Sequence, residues 1–174
     1  MKIIDLSQKL YDQMPVYPGD PEVAIKQIHY LDKDGWNLRT IFVSTHLGTH
    51  VNVPIHMTEN GKSLSQYSLD DFIGEAALYR QDSDVKKDVG VIFDRHNIDK
   101  KLANLIVKSK PKFVGLSEKF DFDVPLEKKL LEQGIISFEN LTNLDKLPEK
   151  FTFYGIPLNI DKADGSPVRA FAVK

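Results

Sequence analysis

Between Val89 and Phe138 the apolar pattern switches repeatedly between a short continuous run and a helical face. Val89 to Phe93 has the length and composition of a buried strand. Leu102, Leu105 and Ile106, with Ile98 one turn earlier, then share one helical face, opposite Lys100, Lys101 and Lys108. Pro111 stops that helix, because it lacks the N–H that a helix interior needs, and Phe113-Val114-Gly115-Leu116 resumes as a strand. A second helix carries Leu126, Leu130 and Leu131, ends near Gly134, and gives way to Ile135-Ile136-Ser137-Phe138. Helices alternating with buried strands predict an α/β domain.

The first half reads differently. Ile3, Ile4 and Leu6 open the chain, and Tyr17-Pro18-Gly19-Asp20-Pro21 is a strong turn signal. Glu22 to Tyr30 and Trp36 to Thr45 are rich in β-branched and aromatic residues, with Lys33-Asp34-Gly35 placed to join them as a hairpin turn. Ser68-Leu69-Asp70-Asp71 opens a short helical turn before a strand over Glu75 to Gln81, and Phe151 to Ile160 and Val168 to Val173 supply the last strands. With 174 residues and no Pro/Gly/Ser linker, residues 1–174 form one domain.

Lys+Arg 23 against Asp+Glu 25 leaves a net charge of -2, which offers no overall field for nucleic acid or an anionic membrane. The basic segment Lys100 to Lys112 has no arginine and reads as a solvated helix face. With no Cys, thiolate chemistry and cysteine zinc sites are excluded. The start lacks the apolar core of a signal peptide, so a cytoplasmic location is expected.

The residues that bear on chemistry cluster in His46-Leu47-Gly48-Thr49-His50-Val51-Asn52-Val53-Pro54-Ile55-His56, which holds three of the five His. Neutral imidazole suits Zn²⁺, Mn²⁺ or Fe²⁺. Gly48 permits a bend between His46 and His50, an extended chain puts Asn52 on the same face as His50, and Pro54 lets His56 swing back. The same three His also fit a set of polar turn residues. His29 and His96 have no such company and read as surface residues, and Trp36 fits a core or a subunit interface better than a substrate pocket.

The segment resembles the H-x-G-T-H-x-D-x-P-x-H signature of the cyclase family of metal-dependent hydrolases, which includes bacterial kynurenine formamidases. Tyr17 to Pro21, Ser137-Phe138-Glu139-Asn140-Leu141, Gly155-Ile156-Pro157-Leu158 and Gly165-Ser166-Pro167-Val168-Arg169 resemble further stretches of that family in the same order. The resemblance implies a swivelling β/β/α single domain, with strand-rich mixed sheets or a partly open barrel and flanking helices, assembled as a homodimer or homotetramer. It implies that His46 and His50 ligate a catalytic metal, that His56 transfers protons beside the metal, that Glu139 is a late ligand, and that Tyr17 faces the substrate. Two positions depart from the family. Asn52 stands where the family has a bridging Asp, and Glu127 where formamidases place another His. The formal charge of the set is unchanged, so either the ligating carboxylate has moved to the helix or the site has decayed.

The expected activity is therefore hydrolysis of a small amide, formamide or lactone, with N-formylkynurenine as one substrate. The expected ligand set is His46, His50, Asn52, His56, Glu127 and Glu139 around a divalent ion, Zn²⁺ before Mn²⁺ and one ion rather than two. His56 is the catalytic proton carrier. A silent family member that binds a small molecule is the other reading.

Overall fold

A computed structural model describes residues 2–174. Among these residues ten strands and three α-helices run in the order β1 (Ile3–Asp5), β2 (Ala24–His29), α1 (Leu31–Asp34), β3 (Leu38–Phe42), β4 (His50–Asn52), β5 (Ile73–Leu78), β6 (Gly90–Phe93), α2 (Lys100–Ser109), β7 (Phe113–Ser117), α3 (Val124–Glu132), β8 (Ile136–Leu141), β9 (Lys150–Pro157) and β10 (Gly165–Val173). The eight-stranded sheet runs β1-β10-β4-β8-β7-β6-β5-β9, and β9 also pairs with β10. That last pairing closes seven strands into a barrel and leaves β1 outside on β10.

The parallel pairs β5–β6, β6–β7 and β7–β8 occupy one wall; α2 and α3 make the last two crossovers, and a 3₁₀ turn at Asp82–Asp84 lies in the first. Every residue of β6 and β7 is buried, because the barrel interior covers one face and the helices cover the other. Inside, Phe113, Phe138 and Phe153 meet at ring-centroid distances of 4.8–5.4 Å. Outside, Val91, Phe93, Val114 and Leu116 pack under Leu102, Ile106 and Leu130 of the two long helices. Gly90 is required here: a Cβ would lie 2.1 Å from the Phe113 ring. Both helices start on a cap that fits the sequence, since the side chains of Asp99 and Asp123 accept from the N–H groups of Leu102 and Leu126.

The hairpin over residues 24–42 corrects the expected turn. Lys33-Asp34-Gly35 is not a tight β-turn; Leu31–Asp34 makes one helical turn, which Gly35 ends with φ +83°. The side chain of Asp34 accepts from the N–H of Tyr30 and stabilises that turn over the shorter one. The hairpin forms a separate two-stranded sheet, and Trp36 is 57% exposed and so is no part of this chain's core. Among the described residues, no helix is long and apolar enough to cross a membrane.

Candidate metal and active site

The site is built on the shortest barrel strand. β4 lies between β10 and β8, and its register sets His50 opposite Glu139 and Asn52 opposite Ser137. Opposed residues on neighbouring strands share a face, while Val51 and Phe138 between them point into the barrel. The His50/Asn52 and Ser137/Glu139 pairs therefore face outward, where α3 covers them and brings Glu127 down onto the same spot.

Asn52 is completely buried at the centre of that face. Its Nδ2 donates to Glu127 Oε1 at 2.7 Å and to Glu139 Oε1 at 2.6 Å. Ser137 Oγ donates to the same Glu127 oxygen at 2.6 Å. Burial, reinforced by the charge of Glu139, raises the Glu127 pKa above the usual carboxylate value. For Glu139 burial acts the same way, but the hydrogen bond and charge of His50 outweigh it and hold the group low. Burial also disfavours charged His50, yet Glu139 beside it raises the pKa overall. His50 Nε2 stands 3.4 Å from Glu139 Oε1, and Nδ1 lies 2.8 Å from Gly48 O, so the backbone holds Nδ1 as the donor.

A second group lies toward solvent. His46 Nδ1 is 2.7 Å from Asn52 Oδ1 and its Nε2 is 2.8 Å from Asp164 Oδ2. His56 Nδ1 approaches the same Asp164 oxygen at 3.4 Å, and the His46 and His56 rings lie 3.9 Å apart. His46, His56 and Asp164 each offer a ligand atom within 4.8 Å of the others. Asp164 is the residue that sequence reasoning missed, 118 positions from His46 in the chain. The one available signal was the Asp-Gly pair that opens the last strand.

Local structure explains how these side chains meet. Gly48 takes φ +59°, turning the chain between His46 and His50, and Asn140 fixes the turn by donating from Nδ2 to Gly48 O at 3.0 Å. The 3₁₀ turn Pro54–His56 returns His56 to the cluster. Gly165 lets the His46 ring lie against β10, since a Cβ there would come within 2.7 Å of it. Thr45 Oγ1 donates to Asp164 Oδ1 at 2.9 Å, which leaves Oδ2 for the two imidazoles. Asp164 is held at a pKa of about 2: burial raises it, and the hydrogen bond and charge of His46 more than reverse that. Burial, together with the charge of His46, lowers the His56 pKa against the opposing pull of Asp164.

Six of the seven expected site residues thus converge. Tyr17 is 70% exposed and makes no hydrogen bond to the cluster among the described residues. Arg169 forms an exposed pair with Asp5.

The family model described as "Putative cyclase" matches residues 4–116. The chain belongs to the cyclase family. A kynurenine formamidase of Salinibacter ruber is 27% identical, covering 98% of this chain and 96% of that protein. An uncharacterised protein of Methanocaldococcus jannaschii is 33% identical, covering 99% of this chain and all of the other. The crystal structure of an isatin hydrolase bound to the product analogue thioisatinate shares the fold with a TM-score of 0.82 at 17% identity, covering 98% of this chain and 91% of that one. This cyclase-family chain thus combines a seven-stranded barrel with a His/His/Asp cluster whose ligand atoms lie within 4.8 Å of one another.

Proposed function

We propose that the protein hydrolyses a small amide, formamide or lactone, with one divalent ion, Zn²⁺ before Mn²⁺, held at His46 and Asp164, and with His56 beside it as the proton carrier. The convergence of two imidazoles and a carboxylate on one opening carries this reading. An imidazole nitrogen and a carboxylate oxygen suit either ion and leave positions for water and substrate. Bound there, the ion would supply Lewis acidity and a water of near-neutral pKa.

The chain's own groups have separable tasks. Asp164 Oδ2 faces His46 Nε2 at 2.8 Å and His56 Nδ1 at 3.4 Å, so His56 is the more loosely tied ring. A His56 pKa below the ordinary value keeps that ring neutral at pH 7. It can then take a proton from the attacking water and return it to the leaving amine or alcohol. N-formylkynurenine is a candidate substrate because several relatives are kynurenine formamidases. In this reading Tyr17, just before the rigid turn, closes over the substrate.

Elemental analysis after dialysis, followed by a screen of aryl formamides and lactones, tests the proposal. About one ion per chain with hydrolysis supports it. A protein that refuses added Zn²⁺ and Mn²⁺ is instead a small-molecule binding module. His56→Ala is expected to lower turnover about 100-fold or more while most of the metal is retained. Equal losses of both would make His56 a plain ligand. The acid limb of the wild-type rate profile is expected below pH 6.5, following the lowered pKa.

A homo-oligomer belongs to the same proposal. Tyr30, Leu31, Trp36, Leu38, Ile41 and Phe42 on the detached hairpin are each at least 44% exposed. A lone two-stranded sheet is marginal in water, and an apolar surface of this kind fits a second copy. Ile41→Lys combined with Trp36→Glu is expected to shift light scattering from oligomer to monomer. A wild-type monomer at micromolar concentration would remove the idea.

A further inference from the structure

The two halves of the site meet at one side chain. Asn52 has two amide hydrogens, and both are committed to carboxylates, one to Glu127 and one to Glu139. Its only remaining atom, Oδ1, faces His46 Nδ1 at 2.7 Å. An amide oxygen only accepts, so His46 must donate from Nδ1. That leaves His46 Nε2, beside Asp164 Oδ2, as the nitrogen whose lone pair is available to a metal. If the amide were turned over, its N–H groups would face His46 and its oxygen would face two carboxylates. Two carboxylate oxygens drawn onto one atom at 2.6–2.7 Å is also what a cation does, and here a neutral amide does it.

We propose that Asn52 is a positioning residue that stands in place of a second cation. Its amide ties up Glu127 and Glu139, and its carbonyl holds His46 with Nε2 turned toward the ion. Glu127 and Glu139 are then not ligands; they set the orientation of Asn52, and through it the tautomer of His46. Partners that orient a ligand in this way matter to metal affinity by about 10–100-fold. The inference rests on the proposed His46/His56/Asp164 site and deepens it by fixing the number of ions at one.

Titration with Zn²⁺ and with Mn²⁺, read by calorimetry and elemental analysis, tests it in three variants. Glu127→Gln should keep one ion with affinity within about threefold, because the amide oxygen of Gln still accepts from Asn52 and Ser137. A loss of tenfold or more would make Glu127 a ligand and overturn the proposal. Asn52→Asp should raise the count from one ion to two, because three carboxylates then face one another without a donor between them. A count that stays at one, or a wild-type protein that already takes two, also overturns it. Asn52→Leu should weaken binding by about 10–100-fold. Should this last variant fail to fold, the other two decide the matter.

A second readout separates this proposal from the hydrolase reading. Nitrogen-15 correlation spectra of labelled histidine should show a protected Nδ1 proton on His46 in the metal-free wild type and in Glu127→Gln. The absence of that proton sinks the Asn52 relay whatever the activity. Its presence in a chain that refuses metal sinks the hydrolase reading and the single-ion count, and leaves only the Asn52–His46 hydrogen bond standing.

Discussion

Asp164→Asn is expected to reduce bound metal to well below one ion per chain and to lower hydrolysis at least 100-fold, with the barrel intact. The oxygen it alters lies within reach of both His46 and His56, and removing its charge leaves two imidazoles 3.9 Å apart with no anion between them. An Asn at this position still has a side-chain oxygen for Thr45 Oγ1, so the loop before β10 should keep its path. Elemental analysis and circular dichroism on the same sample separate loss of metal from loss of fold. Unchanged metal content would remove Asp164 from the site.

The same variant carries a signature in acid. In chelator, the wild-type Asp164 carboxyl sits at about 2, against an ordinary value of 3.8. A depressed carboxylate stabilises the folded state above its unfolded value and loses that contribution as pH falls through the folded one. Stability that drains between about pH 3.8 and pH 2 in wild type should therefore be missing from Asp164→Asn. Chemical denaturation at several pH values reads this directly.

Phe138→Ala is expected to destabilise the protein by about 3–5 kcal/mol. Phe138 is fully buried and packs edge-on against both Phe113 and Phe153. It also opposes Val51, the middle residue of β4. The ring thus fills the barrel directly beneath the strand that carries His50 and Asn52. Denaturant melts would give the loss, and a change under about 1 kcal/mol would mean that neighbouring side chains collapse into the space.

Much of this was readable in the chain. The alternation of β6, α2, β7, α3 and β8 followed from Pro111, Gly134 and a clear change of apolar period. The His46–His56 loop announced itself by composition, and Glu127 and Glu139 were placed beside it through resemblance. Other features were not readable. Asp164 sits in a polar loop before β10, and only the pairing of β10 with β4, which sets Gly165 opposite Asn52, brings it to His46. The helical turn at Leu31–Asp34 is favoured by the side-chain oxygens of Asp34 and Asn37, which accept from the N–H groups of Tyr30 and Leu31 and leave no mark in the apolar pattern. The orientation of the Asn52 amide depends on residues from α3 and β8, both far away in sequence.

The placement of Asp164 on the approach to β10 also has a temporal meaning. Strand β10 pairs with β1, β4 and β9, so a strand made late completes the sheet around one made early. His46 and His56 are both synthesised more than 100 residues before the carboxylate that completes their cluster. A nascent chain therefore carries His46 and His56 without their carboxylate partner until Asp164 has been made.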